Sequence, residues 1–185
     1  MGEDGACDVG TIRLQLGAGG ETGIVGWALR GVTSGAIDGL PTIASDAPPR
    51  GPAPAHPNGA IGVDHVVVAT PDLERTLAAL AARGFDLRRT RDAGPHLRQA
   101  FYVIGDALLE VVGPPAAEPD TAPQPARFWG LTLVVDDLDA ACARLGDLAS
   151  APRDAVQPGR RIATVSRAAG LGTPLALMTP RVRRR

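Results

Sequence analysis

The sequence predicts an α+β protein: two tandem βαβββ modules forming a cupped sheet, preceded by an N-terminal β-hairpin and a proline-rich strap. Three observations carry this. The order strand, acidic helix start, helix, three short strands occurs twice. The segment His65–Leu73 lies over Gly130–Leu138 without a gap, and Leu109–Pro114 lies over Leu175–Pro180. Before the first copy, residues 46–60 read DAPPRGPAPAHPNGA, where repeated proline favours extended backbone.

In the N-terminal region, 1–45, Thr11–Leu16 alternates apolar and polar side chains as a half-buried strand does, and Ile24–Leu29 resumes a strand-like run. The glycines at 17–23 between them suggest a loose hairpin. They miss the spacing of a phosphate-binding loop, and no helix follows to present backbone N–H groups. The strap then spans 46–60. In the first module, 61–114, Ile61–Ala69 is a strand and Thr70-Pro71-Asp72 a helix start, with Thr70 as cap and Pro71 in the first turn. Leu73, Leu77, Leu80 and Ala81 recur at helical spacing, and Gly84 ends the helix. Strands are expected at Phe85–Arg91, Leu97–Ile104 and Ala107–Val112. In the second module, 127–180, Trp129–Val135 is a strand, Asp136-Asp137 caps a helix with Leu138, Ala141, Cys142 and Leu145 inward, and weaker strands lie near Asp154–Gln157, Arg161–Ser166 and Pro174–Thr179. A basic tail, 181–185, closes the chain.

Composition narrows the function. The 185 residues carry 19 basic and 20 acidic groups, so no basic field suggests a nucleic-acid surface. Every basic residue is arginine. Lysine Schiff bases, a lysine nucleophile and the phosphate-loop lysine are therefore excluded. Cys7 and Cys142 form no metal or redox spacing. No apolar run is long enough to span a membrane, and the acidic N-terminus is unlike a secretory signal. A soluble, cytoplasmic protein is expected.

The duplicated unit, with its strand-DL-helix openings and a strand ending LLEVVGP, resembles the vicinal oxygen chelate superfamily, which includes glyoxalase-like and bleomycin-resistance-like proteins. The resemblance covers Ile61–Pro180. It implies metal ligands on the first and last strand of each module. In the first module those positions hold His65 and Glu110, suited to zinc, iron, manganese or nickel. In the second they hold Gly130 and Ala176, which cannot coordinate. Three readings stay open. The pair is residual in a metal-free site, a residue outside the pattern (His56 or His96) completes it, or two chains form a homodimer in which first module faces first module.

Strand parity places His65, Val67, Leu108, Glu110 and Val112 in the cup, with Thr132, Val134, Ala176 and Met178 on the second side. The resemblance implies His65 and Glu110 as the metal ligands. Glu110 is the catalytic candidate, as proton carrier beside a metal that polarises substrate oxygens. Gln99, Tyr102, Thr132 and Met178 are expected to touch the ligand. Three functions remain for a protein whose cup takes a small-molecule partner: a metal-dependent isomerase, lyase or dioxygenase, a metal-free protein that sequesters the small molecule, and a partner subunit whose cup another chain completes. Arg98 and the Arg160-Arg161 pair are further candidates for the ligand, against a solvated reading.

Overall fold

The computed structural model describes residues 5–17, 20, 22–51, 53, 56–115 and 124–181. In chain order the strands and helices are β1 (Ala6–Val9), β2 (Ile12–Gln15), β3 (Trp27–Leu29), β4 (Gly35–Ile37), β5 (Leu40–Ala44), β6 (Ala60–Ala69), α1 (Leu73–Ala81), β7 (Leu87–Asp92), β8 (Arg98–Ile104), β9 (Ala107–Gly113), β10 (Arg127–Val135), α2 (Leu138–Leu145), β11 (Arg153–Asp154), β12 (Arg161–Val165) and β13 (Leu175–Met178). The order βαβββ therefore occurs twice, from β6 and from β10. The chain divides into two compact units: Gly23–Pro48 with His65–Gly130, and Met1–Thr22 with Pro49–Asp64 and Leu131–Arg185.

The unit holding His65 contains α1. The helix begins because the Asp72 carboxylate accepts from Arg75 N at 3.0 Å, satisfying an amide that has no partner inside the helix. Asp72, not Thr70, is the cap. Thr70 sits two residues earlier, where its hydroxyl accepts from Asp72 N. Gly84, at φ +81°, supplies the left-handed turn that takes the chain out of the helix. β6 and β9 run parallel, β8 is antiparallel to β9, and β7 is antiparallel to β8. Under α1, Leu73 and Leu80 meet Val68, Ala100, Tyr102, Leu109 and Val111 in one buried cluster. Each large apolar side chain there stabilises the fold by roughly 1.5–3 kcal/mol.

A three-stranded sheet, β3-β5-β4, adds Ile37 and Leu40 to that cluster. Ile37 pairs with Leu40 across a two-residue Asp38-Gly39 turn, the dipeptide such hairpins favour because both positions need positive φ. Asp38, at φ +46°, accepts from Arg75 Nε at 2.8 Å and from Arg75 Nη2 at 3.2 Å. The Thr76 hydroxyl also donates to it, at 2.5 Å.

In the other unit β10 and β13 are parallel, β12 is antiparallel to β13, and β11 to β12. Leu133, Val135, Leu138, Ala141, Ala163, Val165 and Leu177 are among its buried apolar residues. Asp137 caps α2 by accepting from Ala140 N at 2.9 Å. The N-terminal hairpin differs from the expected one. β2 pairs with β1 through the turn at Gly10-Thr11, whereas β3 runs parallel to β5. The glycine-rich stretch is therefore a connection between two separate small sheets, and Ala18, Gly19 and Glu21 within it lie outside the described residues. So do Pro52, Pro54 and Ala55 of the strap and the last four residues of the basic tail.

The two modules share one register. Val67 pairs with Glu110 as Thr132 pairs with Ala176, and Ala69 with Val112 as Val134 with Met178. On the next strand Ala100 and Ala163, both fully buried, take equivalent places.

Candidate functional site on the first module

Strand alternation on β9 separates two faces. Leu109 and Val111 point under α1, so Leu108, Glu110 and Val112 occupy the opposite face. Register carries that face across the sheet. His65 pairs with Leu108, and Val67 and Phe101 both pair with Glu110. Gln99 pairs with Val112 and Arg91, and Phe101 pairs with Arg89. His65, Gln99, Phe101, Glu110, Arg89 and Arg91 thus share one surface of the first module.

The polar groups form a directed chain. Arg91 Nε donates to Gln99 Oε1 at 2.9 Å, and its Nη2 donates to the same oxygen. Gln99 Nε2 donates to Glu110 Oε1 at 2.5 Å. A guanidinium has donors only, so it selects the amide oxygen and turns the NH2 of Gln99 toward the carboxylate. Glu110 Oε2 faces His65 Nε2 at 3.7 Å, with the two side chains 14% and 12% exposed. One carboxylate oxygen is held, and the other is turned to an imidazole. That arrangement can accept, hold and pass a proton. Arg89 lies over the Phe101 ring, 4.5 Å from its centroid.

The donor set does not complete a metal site. Among the described residues there is no group of three His, Cys, Asp or Glu that could hold an ion, whereas protein sites for zinc or non-haem iron usually supply at least three ligands. Gln99 does not fill the gap, because its oxygen is engaged by Arg91 and its nitrogen faces Glu110. Equivalent places in the second module hold Gly130, Ile162, Thr164 and Ala176 for His65, Gln99, Phe101 and Glu110. Only Arg91 has a like counterpart, Arg153.

Of the residues expected to touch a ligand, Gln99 falls on the site's face and Tyr102 does not. Tyr102 pairs with Leu109, is 1% exposed and stacks edge-on against Phe85 in the core under α1. Its assignment to the ligand is corrected, since the parity that brings Gln99 to Glu110 takes Tyr102 away. Thr132 and Met178 share a face with Ala176 in the second module and are both buried.

The remaining candidates have structural partners. Arg160 is buried, with Nη1 2.7 Å from Asp64 Oδ1, while Nε and Nη2 donate to the Thr179 carbonyl. Arg161 forms two hydrogen bonds to Asp139, and Arg98 pairs with Asp92. His56 Nε2 lies 2.5 Å from the Asp8 carbonyl and pins the strap to β1; His96 sits exposed in the loop before β8. Asp136 accepts from Asp137 N beside the helix cap. Burial pushes the Cys142 thiol up from its ordinary range, as suits a packing residue. Arg89 and Arg91 were not singled out by the sequence. The only available signal was their spacing of two on a predicted strand.

Residues 64–164, more than half of the chain, match the family profile described as the Glyoxalase/Bleomycin resistance protein/Dioxygenase superfamily. The chain belongs to this superfamily. Solved structures agree on the fold. Methylmalonyl-CoA epimerase from Mycobacterium tuberculosis is similar at 20% identity and TM-score 0.54, over 69% of this chain and 93% of that one. A hypothetical protein from Bacillus halodurans C-125 matches at 13% identity and TM-score 0.52, over 66% and 96%. A further methylmalonyl-CoA epimerase structure matches at 18% and TM-score 0.51, over 66% and 97%. None of the curated proteins matches in sequence. Among the described residues no helix is long and apolar enough to cross a membrane. His65 and Glu110 both lie within the stretch of the chain that matches the superfamily profile.

Proposed function

We propose that this superfamily member binds a small organic molecule on the first-module face bearing His65, Gln99, Phe101 and Glu110, and that Glu110 and His65 exchange a proton with it. The observation that carries this reading is the state of Glu110. One oxygen is fixed by Gln99 at 2.5 Å, the other looks toward His65, and the side chain is 14% exposed. Placing a carboxylate in a strand of apolar neighbours costs a few kcal/mol unless it is partnered, and here the partners also aim it. The fold alone does not bring the substrate of the neighbouring epimerases to this chain.

A screen of small organic acids, amides and ketones, followed by protein-observed NMR, tests the reading. Bound molecules are expected to shift the His65 ring resonances. They should bind at least about tenfold more weakly, about 1.4 kcal/mol, to a His65→Ala/Glu110→Ala variant of unchanged melting temperature. Hits indifferent to that variant, or no hit at all, overturn it.

A second reading rests on the half-filled ligand set. A second copy of the chain bringing its own His65 and Glu110 would provide four donors of the right chemistry for a divalent ion. Metal content of protein purified without chelator, together with its mass in solution, distinguishes the two. One transition metal per two chains, lost in both His65→Ala and Glu110→Ala, supports the shared ion.

A further inference from the structure

We propose that the molecule bound on this face carries an anionic group, a carboxylate or a phosphate, held by Arg89 and Arg91. The inference rests on the reading of the His65–Glu110 face as the binding site and adds the class of ligand. Arg89 and Arg91 stand two residues apart on β7, and their pairing with Phe101 and Gln99 puts both on the site's face. Neither has a carboxylate of the described residues within ion-pair distance. Nearby arginines do: Arg88 pairs with Asp86 and Arg98 with Asp92.

The two unneutralised guanidiniums are also oriented. Arg91 is held by two bonds to a neutral amide oxygen, which fixes its plane without cancelling its charge. Arg89 lies over the Phe101 ring, 4.5 Å from its centroid, a contact with the ring's π face that uses no hydrogen-bond acceptor and so leaves guanidinium N–H donors for an anion. Two guanidiniums, Arg89 and Arg91, thus share the face with a single carboxyl group, Glu110. Like charges on one face repel, and an oxyanion between them removes that repulsion while using the planar donor geometry at which arginine excels.

The test uses the full chain freed of metal, with succinate, inorganic phosphate and the neutral analogue succinamide as probes, titrated at low ionic strength by protein-observed NMR. At least one anion is expected to bind and shift the His65 resonances, with succinamide about tenfold weaker or worse. Succinate against phosphate tells which anion the geometry prefers. Arg89→Gln and Arg91→Gln should each weaken anion binding by about fivefold or more. Arg89 is exposed, so its replacement leaves the fold intact. Glu110→Gln, which removes the negative neighbour, should hold or strengthen it, and added salt should weaken it. Succinamide binding as well as succinate, with His65 shifts insensitive to both arginine variants, sinks the anion proposal and leaves the small-molecule site standing. Anion binding without His65 shifts overturns the placement. No binding of any probe overturns the proposal, and the screen above then decides separately whether the site itself stands.

Discussion

Arg160 and Asp64 form an ion pair at 2.7 Å with side chains 4% and 1% exposed. The rest of the Arg160 guanidinium is taken up by the Thr179 carbonyl. Burying two charges costs several kcal/mol each, and the pair offsets this only while both members are present. Arg160→Met removes the buried partner charge of Asp64, whereas Arg181, 3.6 Å from Asp64, is 56% exposed. Urea unfolding should therefore show a loss of roughly 3–5 kcal/mol for Arg160→Met, and a clearly smaller loss for Asp64→Leu/Arg160→Met. A double variant as damaged as the single one contradicts a pairing that matters mainly by neutralising buried charge.

Burial pushes the Tyr102 phenol up to about 12. In the unfolded chain a tyrosine titrates near 10, so the folded state holds this proton more tightly. The stability it contributes is whole below about pH 10 and is lost as pH rises through about 12. This is the chain's single tyrosine, and with no lysine present few other groups titrate in that window. Phenolate absorbance should follow one late transition, and Tyr102→Phe should flatten the alkaline fall in stability. Cys142→Ser serves as a control, since burial raises that thiol too. A folded-state phenolate midpoint near 10 would show that Tyr102 is not shielded as described.

Gly113 has ordinary backbone angles but no room. A Cβ there would lie 2.3 Å from the Thr70 carbonyl oxygen and 2.9 Å from Thr70 Cγ2, where β9 ends against the entry to α1. The Thr70 amide donates to Val112 O at 2.9 Å across the same junction. Gly113→Ala forces the two segments apart and should cost about 1–3 kcal/mol. Gly62→Ala, at a site with nothing within 4 Å, should change stability by less than about 0.5 kcal/mol. Equal effects in thermal or urea unfolding would refute the steric cause.

Much of this was legible in the sequence, for identifiable reasons. The two modules were visible because their helix starts and apolar alternation repeat at matching positions, and the register equivalence of Val67–Glu110 with Thr132–Ala176 follows the same overlay. His65 and Glu110 stood out as polar residues among valines and leucines. The partners of Glu110 did not, because β8 has aromatic residues on both parities, Phe101 and Tyr102, so alternation could not choose between Gln99 and Tyr102. The N-terminal hairpin is hard to place from sequence because the seven-residue glycine-rich stretch is a stronger turn signal than the single Gly10 that makes the turn, at φ +61°. Asp64 and Arg160 are too distant in sequence for any local pattern to pair them.

Asp38 does two separable things, and two substitutions divide them. It occupies the left-handed region at φ +46°, and its carboxylate accepts from Arg75 and Thr76 of α1. Asp38→Gly keeps the backbone at ease and removes only the acceptor. Arg75 is about a third exposed, so the loss belongs at the low end of charged hydrogen bonds, roughly 1.5 kcal/mol. Asp38→Ala removes the same acceptor and adds a side chain poorly suited to positive φ, a further cost of about 1 kcal/mol. Urea unfolding should rank wild type above Asp38→Gly and Asp38→Gly above Asp38→Ala. If glycine and alanine are equivalent, the turn is not strained at Asp38. If glycine matches wild type, the contacts to Arg75 and Thr76 contribute nothing to holding the β4–β5 hairpin on α1.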